Sequence, residues 1–154
     1  MKNKIKKVCI VGAGNWGRNH IKILNDMDCL YGIVEKDKLL VNDLKNKYPN
    51  VTFYNNLEQA LEYGFDGFIV ATPANTHYEI AKKILLSNHH VLVEKPLTTN
   101  LDDAIDLHEI AKKSNLNLMV GHVLLFHPAF IKIKKMIDSG KIGDLQYLYS
   151  NRLN

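Results

Sequence analysis

Short, continuous apolar runs alternate along the chain with longer stretches whose apolar positions recur at helical spacing. Continuous runs are typical of strands that are buried on both faces of a sheet. The pattern predicts six strands, at residues 8–11, 30–34, 51–54, 68–71, 91–94 and 116–121. It predicts helices at residues 15–25, 39–48, 57–61, 77–87 and about 100–114. This alternation favours an α/β fold with a doubly wound parallel sheet.

Local signals set some of the helix boundaries. Thr76 and Glu79 have the spacing of a capping box and predict the start of the fourth helix. Thr99 or Asn100 is the candidate cap of the fifth. After residue 122 the pattern changes, to an amphipathic helix from Pro128 to about residue 138 and a strand at residues 145–149 with no obvious partner.

A glycine turn with the spacing G-x-G-x-x-G, Gly12-Ala13-Gly14-Asn15-Trp16-Gly17, follows the first strand. The first glycine permits the turn, the second lets the backbone approach a pyrophosphate, and the third lets the helix pack close to the strand. N–H groups at the helix start, including those of Asn15 and Trp16, would then face the phosphates. The turn predicts nucleotide binding; the alternative is a turn that only connects strand and helix.

Glu35 ends the second strand, near the ~20-residue distance at which an acid accepts the ribose hydroxyls of the adenosine half. Its carboxylate would repel a 2′-phosphate, which favours NAD over NADP. Lys36 and Lys38 weaken this argument, because either could swing toward a phosphate. The alternative is a surface glutamate at a strand end.

Polar residues also follow other strands, and the carboxyl ends of parallel strands meet at one edge of a sheet. Lys95, between a strand and a proline, is the candidate catalytic residue; it could donate a hydrogen bond to a substrate hydroxyl or act as a base. The alternative is a structural lysine paired with a carboxylate. His122 could orient substrate or assist proton transfer, or could be a packed histidine under the cofactor. His77 is a candidate cofactor contact through its backbone N–H.

These motifs resemble those of the Gfo/Idh/MocA oxidoreductases. The resemblance is carried by the glycine turn, Ala71-Thr72-Pro73-Ala74-Asn75-Thr76-His77, Glu94-Lys95-Pro96-Leu97 and Val120-Gly121-His122 followed by Pro128. It implies an NAD- or NADP-dependent dehydrogenase or reductase of sugars, sugar nucleotides or cyclitols. It also implies that Lys95 is the catalytic lysine and that the Lys95–Pro96 peptide is cis.

Motifs and resemblance together predict a set of site residues. The catalytic candidates are Lys95 and His122. The cofactor-binding candidates are Gly12, Gly14, Asn15, Trp16, Gly17, Glu35, Ala71, Thr72, Pro73, Asn75, His77, Glu94 and Lys95. The cofactor is expected to be NAD, with NADP as the alternative.

The resemblance implies a dinucleotide-binding Rossmann domain over residues 1–122 and, over residues 123–154, only the beginning of an α+β substrate and dimerisation domain. Family members are about twice this length, so we expect a truncated chain that is inactive alone and a homo-oligomer in full-length form. His127 stands near a position where the family often has an arginine. The alternative function is a non-catalytic nucleotide-binding module that acts as a sensor or scaffold.

Composition and residue spacing argue against several other classes of protein. The net charge is +4, but the lysines are scattered among acids along helical stretches, so no nucleic-acid surface is predicted. No apolar run approaches the ~20 residues that span a membrane. Two cysteines are too few for a disulfide framework and fit a cytoplasmic location. No Cys/His pair has the spacing of metal ligands, so no metal is predicted.

Overall fold

The computed structural model describes residues 5–151, which divide into two compact units at the junction of Gly121 and His122. The strands of the first unit are β1 (Val8–Val11), β2 (Leu30–Val34), β3 (Thr52–Tyr54), β4 (Gly67–Val70), β5 (His90–Val93) and β6 (Leu118–Val120). Its helices are α1 (Asn15–Asp26), α2 (Lys38–Lys47), α3 (Leu57–Leu61), α4 (His77–Leu86) and α5 (Leu101–Lys113).

The six strands form one sheet in the order β3-β2-β1-β4-β5-β6, and every neighbouring pair is parallel. The predicted doubly wound parallel sheet is therefore confirmed. The strand order reverses between β1 and β4, because the chain builds outward from β1 to β3 and then returns to β1's other side. A crevice at the carboxyl ends of β1 and β4 is the expected ligand position in such a sheet.

The register aligns the carboxyl ends of the strands. One row across the sheet consists of Val34, Val11, Val70, Val93 and Val120. In four cases, the residue that follows a strand donates its N–H to a carbonyl oxygen of this row. The pairs are Gly12 to Val34, Ala71 to Val11, Glu94 to Val70 and Gly121 to Val93, at 2.8–2.9 Å. The predicted polar residues therefore leave the sheet side by side.

Helices cover both faces of the sheet, so successive strand residues face two separate cores. Ile10 packs with Ile21 of α1 and Leu44 of α2 on one face. Its neighbours on β1, Cys9 and Val11, belong to the core of the other face, which α3, α4 and α5 complete. Burial raises the pKa of the Cys9 thiol well above its usual range, which makes this cysteine an unreactive core residue.

The second unit contains a short 3₁₀ turn at Val123–Phe126 and the helix α6 (Pro128–Asp138). His127 caps this helix, since its Nδ1 accepts the N–H of Ala129 at 3.2 Å. The strand predicted at residues 145–149 is wrong, because that segment pairs with no other strand of residues 5–151. Within the same residues, no helix has the length and apolar character needed to cross a membrane.

The capping box predicted at Thr76 is also wrong. Thr76 has helical backbone angles and ends a short 3₁₀ turn that precedes α4. Its hydroxyl donates to the carbonyl oxygen of Pro73 at 2.7 Å, so it does not cap the helix. Of the two candidates for α5, Asn100 is the cap, and its side chain accepts the N–H of Asp102 at 2.8 Å.

One histidine of the first unit, His89, makes the stability of the fold depend on pH. The ring of His89 packs edge-on against Phe68 of β4, with 5.1 Å between the ring centroids. Burial lowers the pKa of His89, and the adjacent His90 lowers it further. The unfolded chain therefore binds a proton at this ring more readily than the folded chain does. As the pH falls through about 6.5, the unfolded state takes up that proton and the free energy of unfolding decreases.

His89→Phe keeps the aromatic contact with Phe68 and removes the titration. We expect its melting temperature to fall less than that of the wild type between pH 7.5 and 5. The difference in melting temperature between the variant and the wild type should grow by a few degrees as the pH falls. Scanning calorimetry across this pH range measures both curves, and parallel curves would contradict the account of His89.

Candidate functional site

The three glycines of the turn have different surroundings. Gly12 has φ of +93°, and a Cβ there would lie 2.9 Å from the carbonyl oxygen of Ala71. A Cβ at Gly17 would lie 2.0 Å from the carbonyl oxygen of Gly12. Gly14 differs: its φ is −66° and a Cβ would meet nothing within 4 Å. The fold requires Gly12 and Gly17, whereas Gly14 keeps space open in front of the turn.

The start of α1 has the chemistry of an anion site. Gly14 is its N-cap and supplies no side-chain hydrogen bond, and the first turn contains no acidic residue. The N–H groups of Asn15 and Trp16 are therefore left to a ligand, in line with the positive end of the helix dipole. The open side of Gly14 lies on the same cleft. A pyrophosphate group fits this combination of free donors and free space.

Glu35 follows β2 and is tied to the glycine turn. One carboxylate oxygen accepts the N–H of Ala13 at 2.7 Å. The other accepts the N–H groups of Lys36 and Asp37 at 2.7 and 3.0 Å. A carboxylate has about four acceptor sites, so one remains, on the oxygen that faces Ala13. Glu35 therefore fixes the loop after β2 and still has capacity for a ribose hydroxyl.

A cleft of about 700 Å³ runs along this edge of the first unit. Its lining includes most of the predicted cofactor residues: Gly12, Gly14, Asn15, Trp16, Glu35, Ala71, Thr72, Pro73, His77, Glu94 and Lys95. Gly17 lies behind the turn, and Asn75 is exposed and outside the lining. The roles of all these residues stay predictions, but the structure brings eleven of the thirteen to one cleft.

The segment after β4 is held by the buried ring of His77. Its Nε2 lies 2.8 Å from the carbonyl oxygen of Thr72, and its Nδ1 lies 2.8 Å from that of Pro96. The side chain is 1% exposed, so its ring joins two loops at the cleft. The Lys95–Pro96 peptide is cis, as the resemblance implied.

Lys95 and Glu94 have opposite environments. The Lys95 side chain is exposed to the cleft, and its ammonium forms no ion pair or hydrogen bond with the described part of the chain. Glu94 is buried, and its Oε1 lies 2.7 Å from Nε2 of His20. His122 begins the second unit, and its role stays a prediction.

Sequence reasoning missed the part of the cleft next to β3. Asn56 and Leu57 follow that strand and line the cleft, as does Ile80 of α4. Glu58 and Lys83 form an ion pair there, with 2.6 Å between Nζ and Oε1. This pair lowers the pKa of Glu58 and raises that of Lys83. The available signal was the end of β3, which lies at the same sheet edge as the other strand ends.

Known proteins share this fold and these motifs. Residues 6–122 match the GFO_IDH_MocA family, described as an oxidoreductase family with an NAD-binding Rossmann fold. An uncharacterized oxidoreductase of Schizosaccharomyces pombe is 34% identical over 102 residues, which cover 66% of this chain and 28% of the relative. The myo-inositol 2-dehydrogenase of Thermotoga maritima is 29% identical over 140 residues, which cover 89% of this chain and 42% of the relative.

A solved structure is similar over most of the chain. The crystal structure of GenD2 from gentamicin A biosynthesis in complex with NAD has a TM-score of 0.83 and 26% identity. The match covers 92% of this chain and 41% of GenD2. The chain thus spans less than half the length of each of these proteins.

The different surroundings of Gly14 and Gly17 predict different effects of the same substitution. Gly14→Ala should fold with an unchanged or slightly raised melting temperature, because its backbone angles suit alanine. It should weaken NADH binding about tenfold or more, because the methyl group would take the space that the pyrophosphate is predicted to occupy. Gly17→Ala should destabilise the fold by about 3 kcal/mol or more, since its methyl group meets backbone.

Calorimetric titration with NADH and thermal unfolding of both variants separate these effects. Tight NADH binding by Gly14→Ala would contradict the position assigned to the pyrophosphate.

Proposed function

This chain belongs to the Gfo/Idh/MocA oxidoreductase family, and from that premise we propose that it is the cofactor-binding part of an NAD-dependent dehydrogenase or reductase. The reaction would move a hydride between a nicotinamide cofactor and a hydroxyl or ketone of a sugar, sugar nucleotide or cyclitol. The relative from Thermotoga maritima, named as acting on myo-inositol, supports a polyhydroxylated ring as substrate.

The observation that carries the proposal is the order of groups along one cleft. Glu35 stands on the β2 side, the free N–H groups of α1 lie in the middle, and Lys95 stands on the β5 side. A dinucleotide has the same sequence of parts: adenosine ribose, pyrophosphate, and the reactive nicotinamide half. The pocket of Asn56, Leu57 and Ile80 beyond Glu35 would then take the adenine.

Glu35 supports NAD rather than NADP as the working cofactor. Its carboxylate is anchored by three N–H groups and does not need to move when a ligand arrives. A 2′-phosphate about 4 Å away would be repelled by about 1 kcal/mol per unit charge in water, and by more in a partly shielded site. Lys36 and Lys38 form no ion pair within residues 5–151, so they are the groups that could oppose this effect.

Lys95 is the residue that we assign to proton handling. The bound nicotinamide would supply the site that accepts or returns the hydride. The ammonium of Lys95 can donate a hydrogen bond to the substrate oxygen and hold it in place. When the oxygen belongs to a hydroxyl that is being oxidised, the neutral amine at Nζ can take its proton. His122 is assigned to orientation of the substrate or to assistance in this proton transfer.

The second unit is assigned to the beginning of the substrate and dimerisation domain. It exposes several large apolar residues: Leu125, Phe126, Tyr147, Leu148 and Tyr149 are each at least 63% exposed. Apolar surface of this extent is typical of a region that other protein covers. We therefore propose a homo-oligomer for the complete enzyme. The two free cysteines, Cys9 and Cys29, suit a cytoplasmic, reducing location.

Separate calorimetric titrations with NADH and NADPH test the proposal. Trp16, the only tryptophan of the chain, lines the cleft, so energy transfer from Trp16 to a bound dihydronicotinamide gives a second readout. NADH should bind at micromolar concentration and quench Trp16 emission. Absence of binding by both nucleotides at millimolar concentration would remove the basis of the proposal.

Replacement of Glu35 should change the choice of cofactor. Glu35→Gln keeps the size of the side chain and removes the charge that repels a 2′-phosphate; its one oxygen can still accept the N–H groups of Lys36 and Asp37, while the contact with Ala13 is lost. We expect the ratio of NADPH to NADH dissociation constants to fall about tenfold, which corresponds to ~1.4 kcal/mol. Asp43→Asn, an exposed neutralisation outside the cleft lining, is the matched control. An unchanged ratio in Glu35→Gln would contradict the ribose assignment.

Replacement of Lys95 should affect turnover but not cofactor affinity. Lys95→Met should lower kcat by about 10² to 10⁴ when the chain is assayed together with a substrate domain, either its own or that of a relative. The dissociation constant for NADH should stay within about twofold, because the carboxyl-end loop and the glycine turn are unchanged. Lys113→Met, an exposed lysine at the end of α5 and outside the cleft lining, serves as the control. Undiminished turnover would exclude Lys95 from the mechanism.

A further inference from the structure

The Glu94 carboxylate is enclosed from three directions, although it lies one residue from Lys95. Its side chain is 8% exposed, and its Oε1 lies 2.7 Å from Nε2 of His20 on α1. Its Oε2 accepts the backbone N–H of Lys95 at 3.2 Å. Gly121 forms the third wall, since a Cβ there would lie 3.0 Å from the carboxyl atoms. The space for this carboxylate is therefore shaped by α1, β5 and the end of β6.

His20 supplies the only side-chain hydrogen bond to Glu94 in the described residues. A carboxylate can only accept, so Nε2 of His20 is the donor. Removal of this donor would leave the buried carboxylate with the backbone N–H of Lys95 as its one remaining hydrogen-bond donor in the described residues, which is costly. A buried carboxylate in that condition gains stability by pairing with a cation within its reach.

Lys95, the next residue in the chain, supplies such a cation. Its side chain lines the same cleft as Glu94, and it has no partner within residues 5–151. Other lysines of the first unit do pair with acids that can reach them. Lys83 contacts Glu58 at 2.6 Å, and Lys82 lies 2.9 Å from Asp106. The acid next to Lys95 is Glu94, and its carboxylate is already bonded to His20 and to a backbone N–H.

We propose that His20 is a positioning residue, which holds the Glu94 carboxylate in its buried site and thereby keeps the Lys95 ammonium free to meet substrate. This inference rests on the proposed function, because that function gives Lys95 its role at the substrate oxygen. It adds His20, a residue that no sequence motif identified. Without His20, Glu94 would pair with Lys95, and the group assigned to the substrate oxygen would be occupied by protein.

Acylation rates of single lysines test the proposal without any cofactor or substrate. The 154-residue chain is treated briefly with acetic anhydride, and each lysine is quantified by peptide mass spectrometry. An ion-paired ammonium reacts more slowly than an unpaired one. In His20→Leu, the rate at Lys95 should fall about two- to fivefold, as expected for a partly exposed ion pair. The rates at Lys36 and Lys83 should not change and serve as internal controls.

A second substitution distinguishes positioning from a general structural effect. In His20→Leu with Glu94→Gln, the amide carries no charge, so the rate at Lys95 should return to the wild-type value. His20→Gln retains a side-chain donor for Glu94 and should also stay near the wild-type rate. Recovery in both cases supports the proposal, because a loosened fold would not be repaired by removing a charge.

Two results would overturn the proposal. One is an unchanged rate at Lys95 in His20→Leu, and the other is a reduced rate that Glu94→Gln does not restore. If leucine unfolds the chain, the rates of all lysines rise together; His20→Asn, which is too short to reach Glu94, then makes the same comparison. Because these rates need no nucleotide, they judge His20 separately from the titrations with NADH and from the turnover of Lys95→Met.

Discussion

The parallel register of the sheet is the constraint on which the cleft depends. Five valines on five strands lie in one row, and the next residues donate their N–H groups back into it. A shift of one residue in any strand would turn its apolar side chains to the opposite face and move its last residue away from the others. Burial on both faces forbids such a shift, because each face has its own closely packed core. The position of Glu35 relative to Lys95 is thus fixed by hydrophobic packing far from either residue.

Three polar side chains cross-link the segments that follow the strands and so fix the wall of the cleft. Glu35 binds the glycine turn through Ala13, the ring of His77 joins Thr72 to Pro96, and Glu94 is held by His20. Each of these side chains joins two segments that lie far apart in the chain, so these three parts of the cleft wall are not held by local contacts alone. Buried or half-buried polar groups that are fully bonded restrict a structure to one arrangement more strongly than apolar contacts do. The cleft is in this sense formed before any ligand binds.

The sequence predicted the parts whose signals are local. The apolar runs located all six strands, and the glycine spacing identified the turn after β1, because both depend on neighbours in the chain. The pair of His20 and Glu94 was missed, since residues 74 apart leave no pattern in a single sequence. The capping box failed for a related reason: Thr76 has the right spacing, but the turn before it draws its hydroxyl to Pro73. Residues 145–149 have strand-like composition, yet a strand also needs a partner, and composition does not provide one.

The lysines at the two ends of the cleft differ in whether they are ion-paired. This difference has separate consequences for the proposed binding of cofactor and for the proposed reaction. On the β3 side, Lys83 is neutralised by Glu58, so that end offers apolar walls and a compensated charge. On the β5 side, Lys95 has no ion-pair partner within residues 5–151. In the proposed reaction, the unpaired ammonium of Lys95 would interact most strongly with the negative charge that develops on a substrate oxygen. The energy of cofactor binding would then come from the glycine turn and the β3 side, and the interaction on the β5 side would be kept for the reacting group. Such an arrangement would separate cofactor affinity from turnover, because the groups proposed for each follow different strands.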